Sequence, residues 1–182
     1  IDFGAGVAAA SDADAVISDA TFNDGSGVGI VLNGAANELV IQTSDDNIRF
    51  NGATHLQSDV RIDTDEGAAN AGTVGLGNVV FTSGSTIDSQ DGFVDGTLTT
   101  GTERNNFVLD AGDGRVTFNA NIGTTQRLGT FTIERAQDGL VFGADDTAST
   151  GGSGPVTAIS TDGAIDFGAG VAAASDADAV IS

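Results

Sequence analysis

The stretch FVLDAGDGRVTFNANIGTTQRLGTFTI, residues 107–133, contains the pattern that decides the fold. Three short apolar blocks stand apart in it: Phe107–Leu109, Val116–Phe118 and Phe131–Ile133. Blocks of this length that are rich in β-branched and aromatic residues, and that lie between Gly, Asp, Asn and Thr, are typical of β-strands. Because side chains alternate between the two faces of a strand, Val116 and Phe118 are predicted to point inward and Thr117 outward.

The same pattern recurs along the rest of the chain. A block of one apolar residue, any residue and a phenylalanine occurs five times: Ile48–Phe50, Val79–Phe81, Val116–Phe118, Leu140–Phe142 and Ile165–Phe167. Alternation again predicts inward apolar side chains, with Arg49 and Asp166 outward. Turn signals such as Asn51-Gly52 separate the blocks, and no segment has a dependable helical period. The sequence therefore predicts an all-β protein.

An exact internal repeat sets the domain organisation. Residues 1–18 and residues 165–182 both read IDFGAGVAAASDADAVIS, and Ile165 lies 164 residues after Ile1. Self-similarity at a fixed period is the signature of repeat architectures. We interpret the chain as a window on a tandem array in which the two identical segments mark the start of successive 164-residue repeats. A short segment duplicated at both ends is the other interpretation.

Stacked β-solenoid coils account best for such short strands. One coil cannot bury its own apolar face, so stacking on the next coil supplies the core. We therefore predict a parallel β-solenoid in which residues 1–182 form a single continuous segment. Coils of roughly 20 to 25 residues would place about seven or eight in each unit, which would extend about 35 to 40 Å. An antiparallel β-sandwich, repeated like beads, is the alternative, because Asn51-Gly52 is also a hairpin signal.

The composition excludes several kinds of partner and site. The chain has 26 acidic and 6 basic residues, all of the basic ones arginine, and a formal net charge of -20. Nucleic acids and anionic membranes attract basic surfaces, so we expect binding to neither. No apolar run is long enough for membrane insertion. Without cysteine there are no disulfides, zinc fingers or thiolate nucleophiles. The arginines are predicted to form surface ion pairs.

Residues 107–133, together with residues 47–52 and 60–67, resemble the repeats of giant bacterial surface proteins of the filamentous haemagglutinin-like class. The resemblance extends over roughly residues 39–142 and is a resemblance of architecture. It implies a right-handed parallel β-helix, secretion to the bacterial cell surface, and a role as an adhesin or fibre. It provides no catalytic motif.

Acidic residues in loops are the candidate metal ligands. Ca²⁺ binds six to eight oxygen atoms from carboxylates and loop carbonyls. Two acidic segments provide such carboxylates, and their members are the candidate calcium ligands: Asp63, Asp65, Glu66, Asp110 and Asp113. Neither segment matches an EF-hand or a calcium-binding β-roll repeat. The alternatives are carboxylates that accept bonds from turn N–H groups, and diffuse binding of divalent cations along a charged rod. We expect that the protein requires no cofactor. Weakly bound Ca²⁺ is the one candidate.

Catalysis is not expected. His55 is the only candidate for a neutral-pH base, and Ser58 and Asp59 follow it closely in sequence without a nucleophile-elbow motif. We predict no catalytic and no cofactor-binding residues, and hence no enzyme. A β-helix enzyme that cleaves polysaccharides is the minor alternative, although the chain has no Trp or Tyr to stack on sugars.

These observations favour a structural role. We expect one repeat of a long extracellular or cell-surface β-solenoid fibre, such as an adhesin stalk, filament or sheath, with a mechanical or scaffolding function. Its expected partners are neighbouring repeats of the same chain or identical chains. The alternative is an adhesin segment that binds a surface glycan or a partner cell.

Overall fold

A computed structural model describes residues 15–18, 29–34, 36–43, 46–65, 77–82, 85–90, 92–94, 97–99, 102–143, 156 and 158–173. These residues form strands and loops without a helix, and so include no helix able to cross a lipid bilayer. The strands are β1 (Ala15–Ser18), β2 (Ile30–Leu32), β3 (Leu39–Gln42), β4 (Ile48–Asn51), β5 (Thr54–Leu56), β6 (Val60–Asp63), β7 (Val79–Phe81), β8 (Ile87–Ser89), β9 (Gly92–Val94), β10 (Thr97–Thr99), β11 (Phe107–Asp110), β12 (Arg115–Phe118), β13 (Phe131–Phe142) and β14 (Ile165–Ala173).

Most strands pair in parallel, and they fall into three groups in which each strand pairs with the next. We call each group a line, and the move from one strand of a line to the strand paired with it a step. The β2 line contains β2, β5 and β8. The β3 line contains β3, β6, β11, the first part of β13, and β14. The β4 line contains β1, β4, β7, β12 and the second part of β13. Because β13 belongs to two lines, the β3 and β4 lines join into one nine-stranded sheet.

The predicted all-β fold with parallel strands is confirmed. An antiparallel β-sandwich does not fit, since the one antiparallel pair among the described strands is β9 with β10. Asn51-Gly52 is not a hairpin turn. The strands on either side of it, β4 and β5, belong to different lines and do not pair with each other.

Aligned phenylalanines form the core. In the β4 line Phe50, Phe81, Phe118 and Phe142 occupy equivalent positions. Consecutive rings in this column are stacked, with centroids 4.5, 5.1 and 5.4 Å apart. A second column in the β3 line stacks Phe107 on Phe131 at 6.1 Å. Edge-to-face contacts at 5.9 and 5.5 Å connect the columns, a geometry that aromatic rings prefer.

Two predictions made from alternation need correction. Thr117, predicted to point outward, is only 5% exposed. It lies in register between Val80 and Val141, which flank it on both sides. Ile165, predicted to point inward, is 44% exposed because β14 lies at an edge of the sheet. Phe167 pairs with Ile133 in the β3 line, so its block does not continue the phenylalanine column of the β4 line.

The number of residues between equivalent positions of paired strands is also less regular than predicted. Four pairing steps lead from Leu39 to Ile165, so the β3 line has five strands within the described residues. Successive equivalent positions are unevenly spaced, with 47 residues from Asp59 to Asn106 and 24 from Asn106 to Thr130. The longer interval contains the β9–β10 hairpin. Insertions between strands therefore lengthen some steps beyond the predicted 20 to 25 residues, whereas the step from Asn106 to Thr130 lies within that range.

Replacing Phe81 tests the aromatic core. Phe81 is fully buried between Phe50 and Phe118. We expect Phe81→Ala to lower the free energy of unfolding by about 3 to 5 kcal/mol, because it removes apolar contacts and leaves a cavity. Urea denaturation followed by circular dichroism measures this loss. Val31 is 37% exposed, so Val31→Ala should cost less than about 1 kcal/mol. Equal stability losses in the two variants would contradict this packing.

Candidate functional site

Six charged side chains gather on the β3 line. We call them the arginine–carboxylate cluster: Arg61, Asp63, Asp65, Asp110, Glu134 and Arg135. Strand register explains their meeting, since Asp63 pairs with Asp110 and Asp110 pairs with Arg135. A register shift after Leu109 and Ile133 leaves Glu134 as an additional residue in β13. Like charges in register repel each other, and the arginines within ion-pair distance of these carboxylates offset that repulsion.

Arg61 connects strands two steps apart. Its guanidinium donates two hydrogen bonds to the Glu134 carboxylate, at 3.0 and 2.7 Å, past the intervening strand β11. The same group lies 3.8 Å from Asp63 and 3.7 Å from Asp110. The bond from Arg61 lowers the pKa of Glu134, and the same bond raises the pKa of Arg61. A bidentate pair of this type fixes geometry as well as charge.

Arg135 holds the other end of the cluster. Its Nε lies 2.8 Å from Asp110 Oδ1, and its terminal nitrogen lies 2.6 Å from Asp65 Oδ2. The bond to Asp110 is the main reason that the pKa of Arg135 is raised. Gly112 has a φ of +52°, and a Cβ on it would lie 2.6 Å from the Asp65 side chain. A glycine is therefore needed beside Asp65.

The structure brings only some of the candidate calcium ligands together. Asp63, Asp65 and Asp110 do come together, but each lies within ion-pair distance of Arg61 or Arg135. Asp113 is exposed in the turn after β11, and Glu66 is outside the described residues. Over the described ranges no group of three or more acidic or histidine side chains is arranged to hold a metal ion. Calcium binding stays a prediction.

A smaller charged group lies near the start of β14. Asp162 accepts a bond from Arg104 Nε at 2.7 Å and one from Arg127 at 3.2 Å. These two bonds, the one from Arg104 first, lower the pKa of Asp162. The prediction that arginines form surface ion pairs is thus confirmed for Arg61, Arg104, Arg115, Arg127 and Arg135.

Polar side chains form a second regular feature, which we call the pre-strand ladder. Each member is an Asn or Asp directly before the first apolar residue of a strand or bridge: Asn47, Asp59, Asn78, Asn106 and Asn121. The side-chain oxygen of each accepts the backbone N–H at the equivalent position one step later. The donors are Asn78, Asn106, Arg115, Thr130 and Ala158, at 2.7, 2.8, 2.7, 2.9 and 3.2 Å respectively.

The pre-strand ladder supplies hydrogen bonds where the strands begin. A backbone N–H in a bend has no neighbouring strand carbonyl aligned with it, and an unpaired buried N–H is costly. Sequence analysis recognised Asn and Asp only as turn formers and missed this role. The signal that could have found it is their position, always one residue before an apolar block.

Ser58 and Asp59, which follow the candidate base His55 in sequence, also make hydrogen bonds between neighbouring strands. Ser58 Oγ accepts the Gly34 N–H at 2.8 Å and donates to the Asp59 carbonyl. The Asp59 carboxylate accepts bonds from both nitrogens of Asn106. His55 lies in β5, in register between Val31 and Asp88. Ser58 and Asp59 therefore hold backbone and amide groups of neighbouring strands.

Removing one pre-strand side chain tests the ladder. Asn78→Ala leaves the Arg115 N–H without its acceptor, so we expect a loss of about 1 to 3 kcal/mol in unfolding free energy. Asn78→Asp keeps an acceptor oxygen and should recover most of that loss. Asn37→Ala, at an exposed turn, is the matched control. Urea denaturation of the variants measures the differences, and equal values for Asn78→Ala and Asn37→Ala would show that the ladder contributes nothing.

The Glu134 carboxyl should make stability depend on pH. Its pKa is lower in the folded chain than in the unfolded chain, so its stabilisation is present above the ordinary glutamate pKa of about 4.3. That stabilisation is lost as the pH falls through the lowered pKa. We expect Glu134→Gln to reduce stability at neutral pH by less than about 1 kcal/mol, since the pair is partly exposed.

Unfolding measured from neutral to acid pH tests this expectation. The difference between Glu134→Gln and the unchanged chain should shrink toward zero as the pH falls. Glu38, an exposed residue outside the cluster, supplies the control variant Glu38→Gln. A difference for Glu134→Gln that stays constant, or grows in acid, would overturn the assigned role of the Arg61–Glu134 pair.

Both groups of side chains thus join one step of a strand line to the next. The arginine–carboxylate cluster does so by charge, and the pre-strand ladder does so through hydrogen bonds to the backbone.

The chain was compared with protein-family models, with curated proteins and with solved structures, and none of the three comparisons found a match.

Proposed function

We propose that this chain is a structural segment of a long β-solenoid fibre, in which each coil contributes one strand to each of the three lines. The observation that carries the proposal is the order of the strands. The chain visits the β2, β3 and β4 lines in rotation and returns to each line in parallel register, as with β2, β3 and β4 followed by β5, β6 and β7. Stacking of this kind can continue without a fixed end.

The exact repeat supports continuation from one unit to the next. Residues 1–9 have the same sequence as β14, Ile165–Ala173, so in the proposed array β14 of one unit comes before β3 of the next. The next unit would then pair its Leu39 and Ile41 with Ile165 and Phe167. Leu39 and Phe167 are only partly buried, and Ile165 is exposed. Pairing would cover this apolar edge and satisfy its backbone groups.

The proposed fibre has a definite axial repeat. Five strands of the β3 line, β3 to β14, would belong to each 164-residue unit. At a strand spacing of about 4.8 Å, each unit would lengthen the fibre by about 24 Å. Five coils in a 164-residue unit would give a fibre shorter for its mass than one built from seven or eight.

Charge suits this role. The formal net charge of -20 would be carried mainly on the exterior, where it keeps neighbouring fibres apart in solution. Arg61 bridges two steps of the stack, so the few positive charges contribute to axial cohesion. The resemblance of residues 107–133 to filamentous haemagglutinin-like surface proteins supports a location outside the cell. The expected partners are further copies of the same unit.

Chains of increasing repeat number test the proposal. The chain of residues 1–182 would be compared with chains extended by one and by two further copies of residues 19–182. We expect rigid rods in electron micrographs and in small-angle scattering, each about 24 Å longer than the last. Flexible beads, or length increments well above this value, would contradict continuous stacking and favour separate domains, for which a glycan-binding screen would follow.

A variant at the junction sharpens that test. Ile165→Asp at an internal junction of the longest chain places a charge on the edge that the next unit would cover. It should introduce a bend or break at that junction. Asp166→Asn changes the exposed neighbouring residue and should leave the rod straight. Rods that stay straight in both variants would show that β14 is not the junction.

A further inference from the structure

Two Asn-Gly pairs in the described residues are chemically vulnerable. They are Asn33-Gly34, after β2, and Asn51-Gly52, at the end of β4. Glycine has no Cβ to hinder its own nitrogen, and asparagine is among the thermolabile residues. The glycine nitrogen can attack Cγ of the preceding asparagine, closing a five-membered succinimide ring and releasing the side-chain amide as ammonia. Water then opens the ring to aspartate or isoaspartate.

Asn51-Gly52 is held at both reacting groups. The Gly52 N–H donates to Ser85 Oγ at 2.9 Å, and Ser85 in turn donates to the Phe50 carbonyl at 3.0 Å. The Asn51 carboxamide oxygen accepts a bond from Thr82 Oγ1 at 2.9 Å. Ser85 and Thr82 are both buried and lie 3.0 Å apart. Attack therefore requires the glycine nitrogen to leave Ser85 and the carboxamide to leave Thr82.

Asn33-Gly34 has the same arrangement with different residues. The Gly34 N–H donates to Ser58 Oγ at 2.8 Å, and Ser58 is buried. The Asn33 carboxamide donates to Gln57 Oε1 at 2.9 Å. In both pairs a serine from a loop between later strands holds the glycine nitrogen: Ser58 lies between β5 and β6, and Ser85 lies between β7 and β8. A second polar residue on the same segment holds the carboxamide.

Two Asp-Gly pairs provide a comparison, because aspartate forms the same ring with loss of water. The Gly114 N–H donates to the Ala111 carbonyl at 2.7 Å, and the Gly163 N–H donates to the Gly129 carbonyl at 2.7 Å. Backbone carbonyls restrain the nitrogen at these turns. At the Asn-Gly pairs the restraint comes from a side chain, which one substitution can remove.

We infer that Ser58 and Ser85 protect Asn33 and Asn51 from succinimide formation by holding the glycine nitrogen of each pair. The inference is independent of the fibre proposal. This protection would preserve the fold. Isoaspartate at Asn51 would add an atom to the backbone at the end of β4 and disturb the register of the Phe50 column. Each deamidation would also add a negative charge to a chain whose formal net charge is already -20.

Reciprocal serine variants test the inference. Folded chains would be aged at mildly alkaline pH below their unfolding temperature, and deamidation at each asparagine measured by peptide mapping with mass spectrometry. We expect Ser85→Ala to raise the rate at Asn51 about fivefold, the factor that corresponds to one net hydrogen bond, and to leave Asn33 unchanged. Ser58→Ala should do the converse. Each variant is therefore the control for the other.

The unchanged chain provides two further measurements. Deamidation in urea gives the rate of each pair without the fold, and both pairs should react faster there than in the folded chain. Hydrogen exchange in the unchanged chain should show protected N–H groups at Gly34 and Gly52. This measurement does not depend on the folding of either serine variant. Unchanged rates in both folded variants, equal acceleration of both sites by either variant, or unprotected glycine amides would each overturn the inference.

Discussion

In-register parallel pairing is the constraint on which the rest of this structure depends. Each backbone group in a strand is satisfied by the strand one step along, so every strand needs a neighbour of matching length and pattern. Inward positions therefore align into columns, and Phe50, Phe81, Phe118 and Phe142 stack ring on ring. The core is built from repetition along the axis, and so strands of three or four residues are sufficient.

The same constraint creates a problem for polar residues. Register places Asp63 beside Asp110, and two adjacent carboxylates would repel each other. Arg61 and Arg135 lie among them and extend to Glu134 and Asp65, so the acidic column becomes an alternating network. Between strands, where carbonyls no longer align, Asn and Asp side chains supply acceptors for the next backbone N–H. Serines supply acceptors for two glycines in the same way.

Much of the fold could be predicted from the sequence because its causes are local. The strands at Ile48–Asn51, Val79–Phe81 and Phe107–Asp110 follow from alternation and flanking turn residues. The charged cluster could be predicted only in part. The carboxylates of Asp63 and Asp110 were recognisable as candidates, although they lie at the ends of β6 and β11 rather than in loops, but their arginine partners were not recognisable. Glu134 lies 73 residues from Arg61, and only strand register brings these two side chains together.

The sequence by itself determined that this protein is all-β, that Phe50, Phe81 and Phe118 point inward, and that the same 18 residues begin and end the chain. Side-chain periodicity and turn chemistry act over a few residues, so they can be recognised without the fold. The tertiary structure decided which line each strand joins, how many strands each line has, and which charges meet. Those features depend on the length of every connection, and connections of 24 and 47 residues lead to equivalent positions in the same line. Register across such connections is set by packing of the whole stack, which no local pattern specifies.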